Sequence, residues 1–186
     1  MDINTKFGYW IKVAPFTGFK LEKYGRPFNV GKHIVPDNLN GLSIGQLLEL
    51  SDLSDDNGCI YDVCRIMLGM ERKEVDKARA VDVVMFCGWV MGEVEKISKL
   101  FSRSKSNPTA LEKKAGIEGL QFGMFGLLDW YALRMGITNH DDVLPVPWMR
   151  IYRCMDMDDK KAQFNKKLQE VISDEYRRKN KRNSRK

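Results

Sequence analysis

Four glycines recur at helical spacing within one apolar segment of this 186-residue chain: Gly116, Gly119, Gly123 and Gly126. The segment opens with Asn107-Pro108, a cap residue followed by proline at the first helical position, and ends at Gly136, a typical helix stop. Apolar residues recur between them every three or four positions, which predicts one helix. Each internal glycine costs about 1 kcal/mol relative to alanine. We therefore expect this glycine stripe to lie against another backbone.

The sequence leaves two accounts of that neighbour open. Gly88 and Gly92 lie on a preceding stripe that predicts a long helix from Val83 to Phe101. In one account, the two helices form an intramolecular antiparallel pair in which the small residues face each other. In the other, the glycines form a shallow groove for a partner helix, and the ten methionines supply adaptable apolar surface.

The pattern along the chain predicts a mainly α protein with a short β-rich N-terminal segment. Residues 1–42 mix aromatic and β-branched residues with glycine and proline, which predicts two to four short strands or an extended arm leaning on the helical body or another subunit. Residues 43–106 are interpreted as a small helical domain whose first helix is capped by Ser43. Residues 107–176 form a helical extension, in which the last long helix either continues or breaks at its charged middle.

A basic tail, residues 177–186, accounts for the whole net charge of +6, so the rest of the chain is nearly neutral. We interpret this tail as a solvated, disordered end that aids solubility. The alternative is nucleic-acid binding by phosphate neutralisation. The residues that would serve that role are Arg177, Arg178, Lys179, Lys181, Arg182, Arg185 and Lys186.

The chain lacks the residue patterns expected of a catalytic or metal site. There is no P-loop, no dinucleotide-binding glycine motif and no nucleophile elbow. His140 stands beside Asp141 and Asp142, where an ordinary turn explains the residues better than a metal does. The four cysteines lack metal-ligand spacing and are interpreted as reduced thiols of an intracellular protein. We also see no signal peptide or transmembrane span, and predict no enzyme activity, metal or cofactor.

The order of elements resembles the tail assembly chaperone proteins of long-tailed bacteriophages and prophages, as found in Bacteroides-type genomes. Residues 42–50 follow the family's helix start, in which Leu-Ser/Thr-x-Gly precedes four residues and a leucine. A helix with Ile66-Met67-Leu68-Gly69-Met70 follows. Residues 114–118, Phe122-Gly123 and 143–148 are similar to the family's extension domain. The resemblance covers most of residues 28–176.

This resemblance implies a binding role in the host cytoplasm. Such proteins are thought to coat the long helical tape measure protein until tail tube subunits polymerise around it. The implied partners are therefore the tape measure protein, the tail tube protein as a further candidate, and other copies of this chain. The candidate client contacts are Gly116, Gly119, Phe122, Gly123, Phe125, Gly126, Trp148 and Tyr152. The alternative within the same biology is a structural tail or connector subunit, with residues 1–42 donated to a neighbour as a strand.

Overall fold

The computed structural model describes residues 4–13, 25–53, 58–103, 110–119 and 122–183. In these ranges the chain is mainly α, with one two-stranded antiparallel sheet near the N-terminus, which confirms the predicted fold class. None of the helices in the described ranges has the length and apolar character needed to span a membrane.

The elements follow one another along the chain with short connections. In order they are α1 (Phe7–Val13), β1 (Asn29–Val30), β2 (His33–Ile34), α2 (Ile44–Ser51), α3 (Cys59–Leu68), α4 (Arg72–Lys77), α5 (Ala80–Arg103), α6 (Ala110–Lys114), a 3-10 turn (Ile117–Gly119), α7 (Gly123–Met135), a second 3-10 turn (His140–Val143) and α8 (Trp148–Asn183).

The N-terminal segment contains a helix where we expected only strands or an extended arm. Phe7, Trp10 and Ile11 are spaced as one helix face, and the first two are buried in the core. The backbone N–H of Phe7 donates to the carbonyl of Ala78 at 2.9 Å, which ties α1 to the joint between α4 and α5. The β interpretation of residues 7–13 was therefore wrong, because tertiary packing stabilises a short helix there. Residues 14–24 lie outside the described residues.

The helices of the middle segment begin and end where the local signals predict. Ser43 caps α2: its hydroxyl accepts from the backbone N–H of Gln46, and the Gln46 side chain accepts from the N–H of Ser43, both at 3.1 Å. Gly69 ends α3 at φ +64°, in the left-handed region that favours glycine. A helix cap and a helix stop depend on residues within one turn, so the sequence alone was sufficient to predict both.

One hydrophobic cluster joins residues of α1 to α5, α7 and the first turns of α8. Val83, Phe86 and Val90 of α5 are fully buried, and Tyr131 of α7 and Ile151 of α8 belong to the same cluster. The start of α8 is also hydrogen-bonded to the start of α2, since the N–H of Trp148 donates to the Leu42 carbonyl at 3.0 Å. The first turns of α8 are thus part of the core.

The last helix, α8, is one unbroken element from Trp148 to Asn183. It does not break at its charged middle, and it continues through the segment that we interpreted as a disordered tail. That interpretation was wrong for residues 177–183. Good helix formers and ion pairs one turn apart favour continuation: Lys160–Asp156 at 2.7 Å, Arg177–Asp174 and Arg178–Glu175, both at 3.9 Å. Residues 184–186 lie outside the described residues.

Candidate functional site

The four glycines of the apolar segment do not lie on one helix. The chain forms α6, a 3-10 turn and then α7, with residues 120–121 outside the described residues. Gly116 has φ +83° and Gly123 has φ +55°, in the left-handed region that interrupts a right-handed helix. The prediction of one helix from residue 107 to 136 was wrong, because glycine recurring at a helical period can also mark helix breaks.

Within the described residues, no backbone outside the local chain packs against Gly116, Gly119 or Gly123. A Cβ atom built on Gly116, Gly119 or Gly123 would meet nothing within 4 Å, and the same holds for Gly92 on α5. The prediction that Gly92 packs closely against Gly119 and Gly123 within the chain was therefore wrong. A Cβ on Gly126 would lie 2.7 Å from the Cβ of Phe122, so glycine at this position avoids a clash with a residue at the start of the same helix. Nothing in the structure explains the glycine at position 119.

Two phenylalanines are left exposed at the start of α7. Phe122, the N-cap residue, is 68% exposed and Phe125, in the first turn, is 62% exposed. One side of Phe125 contacts His140, with ring centroids 5.0 Å apart, and the His140 Nε2 lies 3.0 Å from the Asp129 carboxylate. The His140 side chain therefore fixes Phe125 from one side while leaving most of it uncovered.

We call Phe122, Phe125 and the open glycines Gly116, Gly119 and Gly123 the aromatic surface. These five predicted residues lie in one short stretch of the chain, and no described residue lies within 4 Å of a Cβ position at the three glycines. An apolar partner could therefore approach both the rings and the adjoining main chain. Such an arrangement suits protein binding better than chemistry, because apolar rings supply no acid, base or nucleophile.

Trp148 does not belong with that surface. It is only 3% exposed, and its indole N–H donates to the carbonyl of Leu39 at 2.8 Å. Tyr152, one turn later, is half-buried, and its ring lies 5.7 Å from that of Phe101. The prediction that Trp148 is a client contact was wrong, because this side chain joins α8 to the segment before α2.

A second exposed apolar surface, which the sequence did not single out as functional, lies on the distal half of α8. We call it the α8 stripe, and its members are Met157, Phe164, Leu168, Val171, Ile172 and Tyr176. All are exposed, and every residue from 160 to 180 is exposed. The spacing of these residues signalled an amphipathic helix. Their exposure could have been inferred only from the absence of a further helix to cover them.

A polar cleft between α1, α3 and α4 also escaped the sequence analysis. The hydroxyl of Tyr61 donates to the Asp76 carboxylate at 2.8 Å, and the Arg72 guanidinium lies 4.4 Å from the centre of the Tyr61 ring. Burial, followed by the Asp76 contact, raises the pKa of Tyr61 above 10.0. The phenol is thus held in its neutral form, in which it orients Asp76. We assign this cleft a structural role at the α1 contact, where a Cβ on Gly8 would lie 2.8 Å from that of Asp76.

The remaining titratable groups in the described ranges do not form a reactive site. No group of three or more histidine, cysteine, aspartate or glutamate side chains there could hold a metal ion. The neighbouring Cys64 thiol and burial raise the pKa of Cys87 well above 9.0. Reactive cysteines need the opposite shift, so Cys87 acts as a small buried side chain.

The basic residues at the end of the chain are only partly described. Arg177 and Arg178 each have an acidic neighbour on the preceding turn, and Lys179 is exposed. The backbone of Lys181 and Arg182 is helical, whereas Arg185 and Lys186 lie outside the described residues.

Comparisons with protein families, with curated proteins and with solved structures found no match to this chain.

Proposed function

We propose that this protein is a non-enzymatic chaperone that binds a helical client through the aromatic surface. The resemblance of its sequence to phage tail assembly chaperones suggests the client, the tape measure protein. The proposal also includes the setting in which such proteins act, the host cytoplasm during tail assembly.

The observation that carries the proposal is the exposure of Phe122 and Phe125 on neighbouring positions of one short stretch. Burying a side chain of this size is worth about 1.5–3 kcal/mol relative to leaving it in water. The same chain buries Phe7 and Phe86 completely, so its core can take up aromatic rings. Paired rings left outside such a core are typical of a surface that another protein covers.

The glycines extend that surface by leaving the main chain accessible. Because no residue in the described part of the chain lies within 4 Å of a Cβ position at Gly116, Gly119 or Gly123, a client helix could come close to the backbone there. An amphipathic helix binds such a surface through apolar residues three or four positions apart. A tape measure protein, being long and helical, would offer that pattern repeatedly along its length.

The experiment is co-expression with a candidate tape measure protein, to be sought as a long coiled-coil protein encoded by a neighbouring gene, followed by affinity capture and sizing. We expect a soluble complex with a client that is insoluble alone. The double variant Phe122→Ser/Phe125→Ser should lower affinity at least about 100-fold, from the loss of two buried rings. Leu133→Ser is the matched control, since Leu133 is an exposed apolar residue of the same helix.

Two results would contradict the proposal. One is equal capture of the client by the double variant and the wild-type chain. The other is recovery of this chain as a stoichiometric component of purified phage particles, which would favour a structural tail or connector subunit.

A further inference from the structure

The distal half of α8 leaves the body of the protein as a lone amphipathic helix. The ion pair between Arg134 and Asp158, with nitrogen–oxygen distances of 2.9 and 3.0 Å, ties α8 to α7. Beyond it, every residue from 160 to 180 is exposed, and the α8 stripe lies in water. A single helix with an uncovered apolar stripe gains little stability, because packing of that stripe supplies most of it.

The spacing of the stripe fits a two-stranded coiled coil. Met157, Phe164 and Val171 are separated by seven residues each, and Leu168 lies four positions after Phe164. These intervals correspond to the two core positions of a heptad, which face a partner helix of similar shape. The stripe therefore fits a helix as its partner.

Charge along α8 alternates in four blocks around this stripe. The blocks are acidic (Asp156, Asp158, Asp159), basic (Lys160, Lys161, Lys166, Lys167), acidic (Glu170, Asp174, Glu175) and basic (Arg177 onward). When this order of four blocks is reversed, every acidic block lies opposite a basic block. Antiparallel alignment with an identical helix thus sets each acidic block against a basic one, whereas parallel alignment in register sets like charges together.

Two pairs of opposite charge blocks are matched in the antiparallel arrangement, and both place the midpoint of the helix pair at the same residue. Matching the outer acidic block with the last basic block, and the inner basic block with the inner acidic block, each puts the midpoint close to Leu168. The apolar stripe is densest there, with Phe164 and Ile172 on either side. Apolar spacing and charge order therefore agree independently on one register.

We propose that the distal half of α8 pairs antiparallel with the same segment of a second copy of this chain, across a two-fold axis near Leu168. Leu168 of each copy then packs against Leu168 of the other, and Phe164 of each copy packs against Ile172 of the other. Lys161 of each copy lies beside Glu175 of the other, so two ion pairs flank the apolar centre. The two bodies are held apart at opposite ends of the pair, which leaves both aromatic surfaces free.

The first test measures the mass of the full chain over a range of concentrations by light scattering coupled to size exclusion, or by sedimentation equilibrium. We expect a concentration-dependent dimer. Phe164→Glu/Leu168→Glu should raise its dissociation constant at least about 100-fold. Ala162→Glu/Ser173→Glu, which adds the same charges to the opposite face of the helix, should leave it nearly unchanged. A wild-type chain that stays monomeric throughout, or equal effects of the two variants, would overturn the proposal.

The second test addresses orientation by exchanging charges. Lys161→Glu and Glu175→Lys should each weaken the dimer roughly tenfold, and the double variant should restore it. Circular dichroism of the three variants serves as the control for helix content. A parallel dimer would show no restoration in the double variant, and this result would overturn the antiparallel arrangement. Because the aromatic surface is separate, a monomeric stripe variant that still captures the client would leave the proposed function intact.

Discussion

Trp148 offers the sharpest test of how α8 is attached to the body of the protein. Its side chain is buried, and the indole N–H donates to the Leu39 carbonyl at 2.8 Å, across 109 positions of sequence. The ring also lies 6.2 Å from that of Phe101. We therefore expect Trp148→Phe to destabilise the fold rather than to weaken binding to another protein.

The magnitude follows from what phenylalanine would leave behind. It keeps most of the apolar contact but removes the indole donor, so the carbonyl of Leu39 keeps only the Leu42 backbone N–H, 3.2 Å away, as its hydrogen-bond partner. The net loss of one hydrogen bond in the interior costs about 0.5–1.5 kcal/mol. We expect the free energy of unfolding to fall by that amount, with Trp148→Ala costing about 3–5 kcal/mol through the additional cavity.

The assay is urea denaturation followed by far-ultraviolet circular dichroism, which does not depend on tryptophan fluorescence. Phe122→Leu is the control, because it changes an exposed ring and should stay within about 0.5 kcal/mol of the wild type. A loss of less than about 0.5 kcal/mol in Trp148→Phe would refute the reasoning, since it would mean that the hydrogen bond to Leu39 contributes nothing. Weaker client capture at unchanged stability would instead restore the interpretation of Trp148 as a binding residue.

Two further predictions concern the capped helices of the body. Ser43→Ala removes the hydroxyl that accepts from the Gln46 backbone N–H, and should lower the free energy of unfolding by about 1 kcal/mol in the same denaturation assay. An unchanged free energy would mean that the cap is dispensable. The Lys32 ammonium, 2.6 Å away, and then the Glu71 backbone N–H lower the pKa of Glu74 from 4.5 to about 2. The native-state pKa lies below the unfolded one, so this contribution is present above pH 4.5 and lost as the pH falls toward 2. In Glu74→Gln, the free energy of unfolding should therefore fall less steeply as the pH is lowered through that window. An unchanged pH dependence would contradict a contribution from Glu74.

Features that depend on neighbouring residues alone were predicted well from the sequence. The cap at Ser43 and the stops at Gly69 and Gly136 follow from hydrogen bonds and backbone conformations within one turn. The long stripe that begins at Val83 likewise predicted most of α5, because burial of one helix face repeats with the helical period.

Features that depend on distant contacts could not be predicted in this way. The α1 helix is stabilised by packing against the α4–α5 joint, and Trp148 is buried by a partner near position 39. At Gly116 and Gly123 the left-handed backbone conformation, not a close neighbour, favours glycine. The spacing of glycines in a sequence cannot distinguish a glycine favoured by a close neighbour from one favoured by a left-handed backbone conformation.

The candidate site was partly predicted for the same physical reason. Phe122 and Phe125 were identified because they lie beside the glycine stripe, and the structure leaves both exposed. The α8 stripe was missed as a surface because its spacing is also that of a core helix. Only the fold shows that no other element of the described chain covers it.

The central claim is that a helical client binds at the aromatic surface, and hydrogen exchange of the chain with and without the client tests it most directly. Backbone amides in the first turns of α7, around Phe122 to Asp129, should exchange more slowly in the complex. The same amides in Phe122→Ser/Phe125→Ser should show no such protection at equal client concentration. Protection confined to other parts of the chain, with exchange around Phe125 unchanged on client binding, would contradict the account.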